Sequence, residues 1–130
     1  MTDRQEIKLL CVGECMMEMR SQDDKIVPGF AGDTINFCIY LKRLNPESSP
    51  EFFSAVGQDS ISDEMIAFLG KEDIGTTLVS RMPDKTIGLY LIQTDAEGER
   101  TFTYWRSDSA ARRMFLDLDE EQLVQSTRDI

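Results

Sequence analysis

Two short stretches of this chain hold the side chains best suited to binding a polar small molecule. The first, GFAGDTIN, begins at Gly29. Its small residues, including Gly32, allow a ligand to approach the backbone, and the amides of a helix starting here would point toward that ligand. Asp33 and Asn36 can both reach the same space, where their oxygens would accept hydrogen bonds from vicinal hydroxyls. The spacing equally fits a helix cap at Asp33 with a solvent-facing Asn36.

The second stretch, RTFTYWR, combines aromatic rings with a guanidinium. Residues two apart in a strand share a face, so Phe102, Tyr104 and Arg106 point one way. Trp105 points the other way, and we assign it to packing. If the strand containing Tyr90 pairs with this one, Tyr90, Tyr104 and Arg106 share a surface that suits a polyhydroxylated acid, with Arg106 binding the carboxylate bidentately. The alternative is an ordinary aromatic ladder with a solvated Arg.

Two carboxylates, Glu14 and Glu18, flank the end of the first predicted strand, where open α/β sheets bind ligands. Either can accept a hydrogen bond from a hydroxyl, and either can be a solvated charge. The chain contains no histidine, which excludes His-ligated zinc sites, Ser-His-Asp triads and Cys-His dyads within these residues. The glycines match neither a Walker A loop nor GxGxxG. Any chemistry must use carboxylates, hydroxyls, Lys, Arg or backbone amides.

Length and charge narrow the class of protein. The 130 residues, 41% of them hydrophobic, suffice for one domain with a sizeable core. A formal charge of −10 argues against nucleic acid and anionic membranes as partners. The apolar runs are too short to span a bilayer, and the N-terminus lacks a signal-peptide pattern, so we expect a cytoplasmic protein. The three cysteines are expected to be buried free thiols.

The elements that must position these residues alternate between strand and helix. In chain order, the pattern predicts a strand buried on both faces at 7–14, a half-exposed strand at 16–20, a helix from Asp33 or Thr34 to Asn45, a buried strand at 52–56, a helix opened by a Ser60/Asp63 capping box, a β-hairpin with its turn at 95–98, and a helix at 116–127. This alternation predicts an α/β fold whose parallel sheet has crossover helices. The hairpin and the 16–20 strand fit a small, separate antiparallel layer that covers a site.

Four segments together resemble the ribokinase-like (PfkB) carbohydrate kinases, and among them the 2-keto-3-deoxygluconate kinases. These segments are VGECMMEM, GFAGDTINFCIYLKRL, FFSAVGQDSISDEM and TIGLYLIQTDAEGERTFTYWRSDSAA. The phrase GERTFTYWR, with GLY upstream, is the most discriminating. The resemblance covers nearly the whole chain. It implies a doubly wound parallel sheet, incomplete here, with a small antiparallel β lid built from about 16–20 and 86–106. Residues 1–130 would form the N-terminal part of such a kinase domain.

The resemblance also implies a reaction and a set of binding residues. The reaction is ATP-dependent phosphorylation of the terminal hydroxyl of a sugar acid, assisted by Mg²⁺. The family's substrate-binding positions correspond here to Gly32, Asp33, Asn36, Tyr90, Tyr104 and Arg106, and to Glu18. The implied partners are the sugar acid and a second copy of the chain, joined through the lid.

One part of the family pattern is missing from these residues. The kinases carry their catalytic Asp in a DTxGAGD-like segment, whose glycine-rich helix start holds the transferring phosphate. No such segment occurs here, and AGD at 31–33 is a chance echo within the sugar motif. The resemblance therefore implies no catalytic residue and no nucleotide site in this chain. Three hypotheses remain: the sugar-recognising portion of a 2-keto-3-deoxygluconate kinase, the same portion of a kinase for another sugar, and a non-catalytic sugar-acid-binding or dimerisation module.

Overall fold

Two β-sheets of different kinds carry the helices of this chain. The computed structural model describes residues 6–116 and 118–130. The strands are β1 (Lys8–Val12), β2 (Met16–Gln22), β3 (Lys25–Ala31), β4 (Ser49–Gly57), β5 (Val79–Met82), β6 (Leu89–Thr94) and β7 (Arg100–Trp105). The helices are α1 (Asp33–Leu44), α2 (Ser60–Lys71), α3 (Glu120–Thr127) and a short 3₁₀ helix at Ala110–Arg113. None of the helices in these ranges is long and apolar enough to cross a membrane.

The first sheet is parallel, as the alternation of strand and helix predicts. Its strand order is β1-β4-β5, and Cys11 of β1 lies opposite Phe52 of β4. β4 is central and its apolar residues are buried on both faces. The same prediction for β1 was wrong, because β1 is an edge strand within the described residues and Val12 is 44% exposed. β5 was not predicted, since its four residues carry little apolar pattern.

The second sheet, which we call the lid sheet, has the order β3-β2-β6-β7. The predicted hairpin is confirmed: β6 and β7 are antiparallel, and Gly98 supplies the positive φ of 84° in the turn. The layer is mixed rather than purely antiparallel, because β2 and β6 run in the same direction. β2 and the β6–β7 pair account for the predicted lid segments.

β3 is a strand that was not among the elements predicted from the sequence. Pro28 and Gly29 lie inside it and punctuate the pattern. Both are tolerated because β3 is the edge strand of the lid sheet, where a missing amide or side chain breaks few contacts. β3 is antiparallel to β2, and Glu18 lies opposite Gly29.

The helix termini differ from the predicted caps. α1 has Gly32 at its N-cap with no side-chain hydrogen bond, so Asp33 lies in the first turn instead of capping the helix. α2 is capped by Asp59, whose carboxylate accepts a hydrogen bond of 2.8 Å from the Ser62 amide, and not by Ser60. Asn45 ends α1 as expected.

One apolar core joins β1, β4 and the start of β2 to α1 and α2. Its fully buried members include Ile35, Phe52 and Leu69. All three cysteines are buried and free, which confirms that expectation. The core therefore joins the start of α1 and the base of the lid sheet to one scaffold.

Candidate functional site

A cavity of about 300 Å³ lies between the lid sheet and the start of α1. We call it the recognition cavity. It is lined by Glu14, Met16, Gly32, Asp33, Thr34, Tyr90, Phe102, Tyr104 and Arg106. The wall of aromatic rings comes from the hairpin, and the opposite wall comes from the first turn of α1. Polar and charged groups thus face apolar ring surfaces across a small space, an arrangement typical of sites for polyhydroxylated ligands.

The aromatic wall depends on the register of the hairpin. Tyr90 of β6 lies directly opposite Tyr104 of β7, and their ring centroids are 5.7 Å apart. Phe102 extends the row, with its centroid 6.3 Å from that of Tyr104. Because residues two apart in a strand share a face, this register alone brings the three rings together.

Tyr90 is fixed by a carboxylate at the edge of the cavity. Its hydroxyl donates a short hydrogen bond to Glu18 Oε2, and Glu18 Oε1 lies 3.0 Å from Arg20 Nε. Burial, and then the bond to Glu18, raise the pKa of Tyr90 well above its usual value. Both oxygens of Glu18 already have partners, so Glu18 holds the tyrosine in place.

Arg106 stands at the other end of the cavity and faces a buried carboxylate. Its Nε lies 3.1 Å from Glu14 Oε1, and its side chain is 43% exposed. Glu14 is far less exposed, at 10%, and its Oε2 accepts a 2.5 Å hydrogen bond from Ser109 Oγ. The guanidinium is thus paired with a buried carboxylate and remains accessible to a ligand.

Glu14 packs closely against two glycines, where a larger residue would collide with it. A Cβ at Gly88 would lie 2.9 Å from Glu14 Oε2 and 3.0 Å from the Cβ of Arg106. A Cβ at Gly32 would collide with the backbone oxygen of Glu14. Both positions therefore need glycine because of close approach, and the approach in each case is to Glu14.

Five of the seven predicted binding residues line the recognition cavity: Gly32, Asp33, Tyr90, Tyr104 and Arg106. Glu18 and Asn36 line a second cavity of about 710 Å³ along the outer part of the lid sheet. Asp33 and Asn36 therefore line different cavities, although residues three apart lie on the same face of a helix. Glu18 is not among the lining residues of the recognition cavity, but it accepts the hydrogen bond of Tyr90, which lines that cavity.

Sequence reasoning left the role of Glu14 open and misjudged Trp105. Glu14 lines the cavity, and the available signal was its place just after the Gly that follows the first predicted strand, where α/β sheets bind ligands. Trp105 does lie on the other face of β7, but it is 54% exposed, so the assignment to packing was wrong for the described chain. Among the described residues, Thr101 and Thr103 on the same face of β7 are exposed as well.

No metal centre is formed by the described residues. Within 6–116 and 118–130, no group of three or more His, Cys, Asp or Glu side chains is placed to hold an ion. The recognition cavity contains one cationic side chain, Arg106, beside the carboxylates of Glu14 and Asp33. A triphosphate, with several negative charges, does not fit a cavity whose charged residues are mostly acidic.

Comparison with known proteins matches this chain to one family. The model of the "pfkB family carbohydrate kinase" matches residues 6–128. The 2-dehydro-3-deoxygluconokinase of Dickeya dadantii is 42% identical over 116 residues, which is 88% of this chain and 37% of that protein. The protein of that name from Escherichia coli K12 is 39% identical over 107 residues, covering 81% of this chain and 35% of its own length.

Solved structures show the same fold. The crystal structure of 2-dehydro-3-deoxygluconokinase from Thermotoga maritima has a TM-score of 0.75 at 21% identity, covering 95% of this chain and 40% of that one. A PfkB family carbohydrate kinase from Listeria grayi has a TM-score of 0.76 at 19% identity, covering 91% and 39%. The chain spans little more than a third of the curated relatives named above. The fold, a ribokinase-like α/β arrangement with a partial parallel sheet, agrees with the family match, and the chain belongs to the pfkB family of carbohydrate kinases.

Proposed function

We propose that this chain is the sugar-recognising, N-terminal portion of an ATP-dependent 2-keto-3-deoxygluconate kinase, the enzyme that the relatives' name calls 2-dehydro-3-deoxygluconokinase. The observation that carries the proposal is the position of Arg106, an accessible guanidinium at the end of a small cavity walled by Tyr90 and Tyr104. A sugar acid offers the matching groups, a carboxylate at one end and a row of hydroxyls along its length. The relatives' names support the same substrate class.

Each group of the recognition cavity has a role in this proposal. The terminal nitrogens of Arg106 bind the carboxylate, since a planar guanidinium matches it bidentately. Tyr104, half exposed and stacked on Tyr90, contacts the carbon chain and offers its hydroxyl. Asp33 accepts hydrogen bonds from the substrate's hydroxyls, and Gly32 lets the sugar approach the start of α1. The lid sheet covers the ligand and excludes water.

Phosphoryl transfer requires groups that the described residues do not assemble. The described residues form no metal-ligand cluster, and the charged residues of the recognition cavity are mostly acidic, which does not suit the phosphates of ATP. In this proposal ATP, Mg²⁺ and the catalytic base are held by residues outside this chain, in a longer kinase. The 130 residues alone would bind the sugar acid without phosphorylating it.

A second candidate is favoured by that same arrangement. A set of recognition groups without a site for ATP is also what a non-catalytic sugar-acid-binding or dimerisation module would contain. The two candidates differ in the natural length of the protein. The intact mass of the protein from its native source decides between them, followed by an ADP-release assay with 2-keto-3-deoxygluconate on the longer form. A native mass equal to 14.8 kDa would favour the module.

Binding of the sugar acid tests the recognition proposal directly. Isothermal titration calorimetry would compare 2-keto-3-deoxygluconate with its carboxamide, which keeps the hydroxyls and removes the negative charge. We expect Arg106→Leu to weaken binding of the acid by roughly 10- to 100-fold, the value of a charge-assisted contact, and to change binding of the amide little. Equal losses for acid and amide would remove the carboxylate role of Arg106.

A further inference from the structure

Glu14 is a buried carboxylate that has no role in the sugar-binding contacts proposed above. Its side chain is 10% exposed. Oε2 accepts a hydrogen bond from Ser109, whereas Oε1 is buried without a hydrogen bond to any residue in the described part of the chain. The nearest positive charge, Arg106 Nε, lies 3.1 Å from Oε1 but outside hydrogen-bonding geometry. A buried carboxylate oxygen without a hydrogen bond is destabilising, so the fold keeps Glu14 Oε1 here against a penalty.

The fold also makes room for Glu14 on two sides. Gly88 and Gly32 are the positions where any Cβ would collide with its carboxylate and its backbone oxygen, respectively. Ser109, immediately before the 3₁₀ helix, is itself buried and directs its hydroxyl at Oε2. Elements distant in the chain thus converge on one carboxylate, which is the construction expected of a group that orients another.

The pairing leaves Arg106 with a defined geometry. Its Nε forms an ion pair with Glu14 Oε1 at 3.1 Å, and its terminal nitrogens make no hydrogen bond to another described residue. Contact through Nε restricts rotation of the guanidinium plane, and the adjacent carboxylate offsets much of its positive charge. A ligand carboxylate therefore meets an arginine that is held in one orientation and is only weakly attractive to anions in general.

We propose that Glu14 is a specificity-determining residue of the sugar site, which positions Arg106 and attenuates its charge. This inference rests on the proposed function. A small anion can approach a mobile, unpaired guanidinium from any direction, so it gains when Glu14 is neutralised. A sugar acid, already placed by the tyrosines and the start of α1, needs the guanidinium in one place. Glu14 thereby favours the complete ligand over fragments that share its carboxylate.

The test compares two ligands with the same head group. Pyruvate carries the 2-oxo acid of 2-keto-3-deoxygluconate but none of its hydroxyls. Dissociation constants of both are measured by titration for the wild type, Glu14→Gln, and the control Glu97→Gln at an exposed turn position. We expect Glu14→Gln to lower the preference for the sugar acid over pyruvate by about tenfold, the scale of ordering one long side chain. Glu97→Gln should leave it unchanged. A purely structural role would weaken both ligands alike, and an unchanged ratio would overturn the proposal.

A second measurement needs no ligand. The ¹⁵N order parameter of the Arg106 Nε–H group should be high in the wild type and lower in Glu14→Gln, because the ion pair restricts motion of the guanidinium. Ser109→Ala, which releases Oε2 and keeps the ion pair, should give an intermediate order parameter. Equal order parameters in the wild type and Glu14→Gln would show that Glu14 does not hold Arg106. If the wild type bound neither ligand, the proposed function would fail, and this comparison would still decide whether Glu14 orients Arg106.

Discussion

Tyr90 and Tyr104 lie opposite each other on adjacent strands with ring centroids 5.7 Å apart, yet Tyr90 is 8% exposed and Tyr104 is 51% exposed. The difference follows from their positions in the lid sheet, because β6 is internal and β7 is an edge strand. The hydroxyl of Tyr90 is committed to Glu18, whereas that of Tyr104 makes no hydrogen bond to another described residue. Tyr90 therefore supports the aromatic wall, and the ring and hydroxyl of Tyr104 are accessible to a ligand.

This asymmetry gives a first prediction on stability. Tyr90→Phe removes the donor to a largely buried Glu18, so we expect the free energy of unfolding to fall by about 1 to 3 kcal/mol. Tyr104→Phe is the matched control and should change it by less than about 0.5 kcal/mol. Urea denaturation measures both. Similar values for the two variants would mean that the hydrogen bond to Glu18 contributes nothing to stability.

The second prediction concerns the close approach at Gly88. The Cβ of Gly88→Ala would press on the Glu14 carboxylate and the Arg106 side chain, so we expect a loss of about 1 to 3 kcal/mol in stability and weaker binding of the sugar acid. Gly70→Ala is the control, because no atom lies within 4 Å of its added Cβ and the site is inside α2. That variant should be stabilised by about 0.5 to 1 kcal/mol. Unchanged binding in Gly88→Ala would show that Glu14 and Arg106 can shift without loss of the sugar acid.

The third prediction tests the revised cap of α2. Asp59→Ala removes the acceptor of the Ser62 amide and should lower stability by about 1 kcal/mol near neutral pH, whereas Ser60→Ala should be nearly neutral. Burial alone would raise the pKa of Asp59, but hydrogen bonds from Ser62 and Thr86 outweigh it and lower the pKa below its usual value.

The sign of the pH dependence follows from that lowered pKa. A carboxyl with a depressed folded pKa contributes stability above its unfolded pKa and loses it as pH falls through the folded value. The difference between wild type and Asp59→Ala should therefore shrink as pH falls below about 4. Urea midpoints across an acid series measure this. A difference that stayed constant over the series would contradict the cap assignment.

The fourth prediction concerns Cys15. Burial, and then the neighbouring charge of Glu14, raise the pKa of Cys15 from 9.0 to about 12. The folded thiol stays protonated where the unfolded one ionises, so stability should fall as pH rises from about 9 toward 12, and the fall should be smaller in Cys15→Ala. At pH values near 8, iodoacetamide should label Cys15 only as fast as the protein opens. Rapid labelling without unfolding would show that the thiol is accessible.

The fifth prediction addresses self-association through the lid sheet. β7 is an edge strand within the described chain, and Phe102, Tyr104 and Trp105 are each 46% to 54% exposed along it. Such an edge favours pairing with a second copy, and a charge on it opposes pairing. We expect the wild type to dimerise in sedimentation velocity and Trp105→Lys to shift the equilibrium toward monomer. Val124→Lys on α3, also at an exposed apolar residue, is the control. A wild type that is monomeric at all concentrations would contradict the prediction.

Local patterns were sufficient for much of this fold. The period-two alternation around Tyr90 and Tyr104 predicts the hairpin and its shared face, because side-chain direction in a strand depends only on parity. The parallel arrangement of β1 and β4 follows from a helix lying between two apolar runs. β3 was missed because Pro28 and Gly29 are local breakers, and only its edge position makes them acceptable.

The sequence by itself determined which residue types are available for binding a sugar acid and which face of the hairpin carries them. Only the tertiary structure decided which of these residues line the recognition cavity and which support other side chains. It placed Asn36 and Asp33 in different cavities. It also paired Glu18 with the hydroxyl of Tyr90 and Glu14 with the guanidinium of Arg106. The contacts of Glu18 with Tyr90 and of Glu14 with Arg106 join residues 72 and 92 positions apart through the packing of separate elements, and no spacing within one strand or helix encodes such a distance.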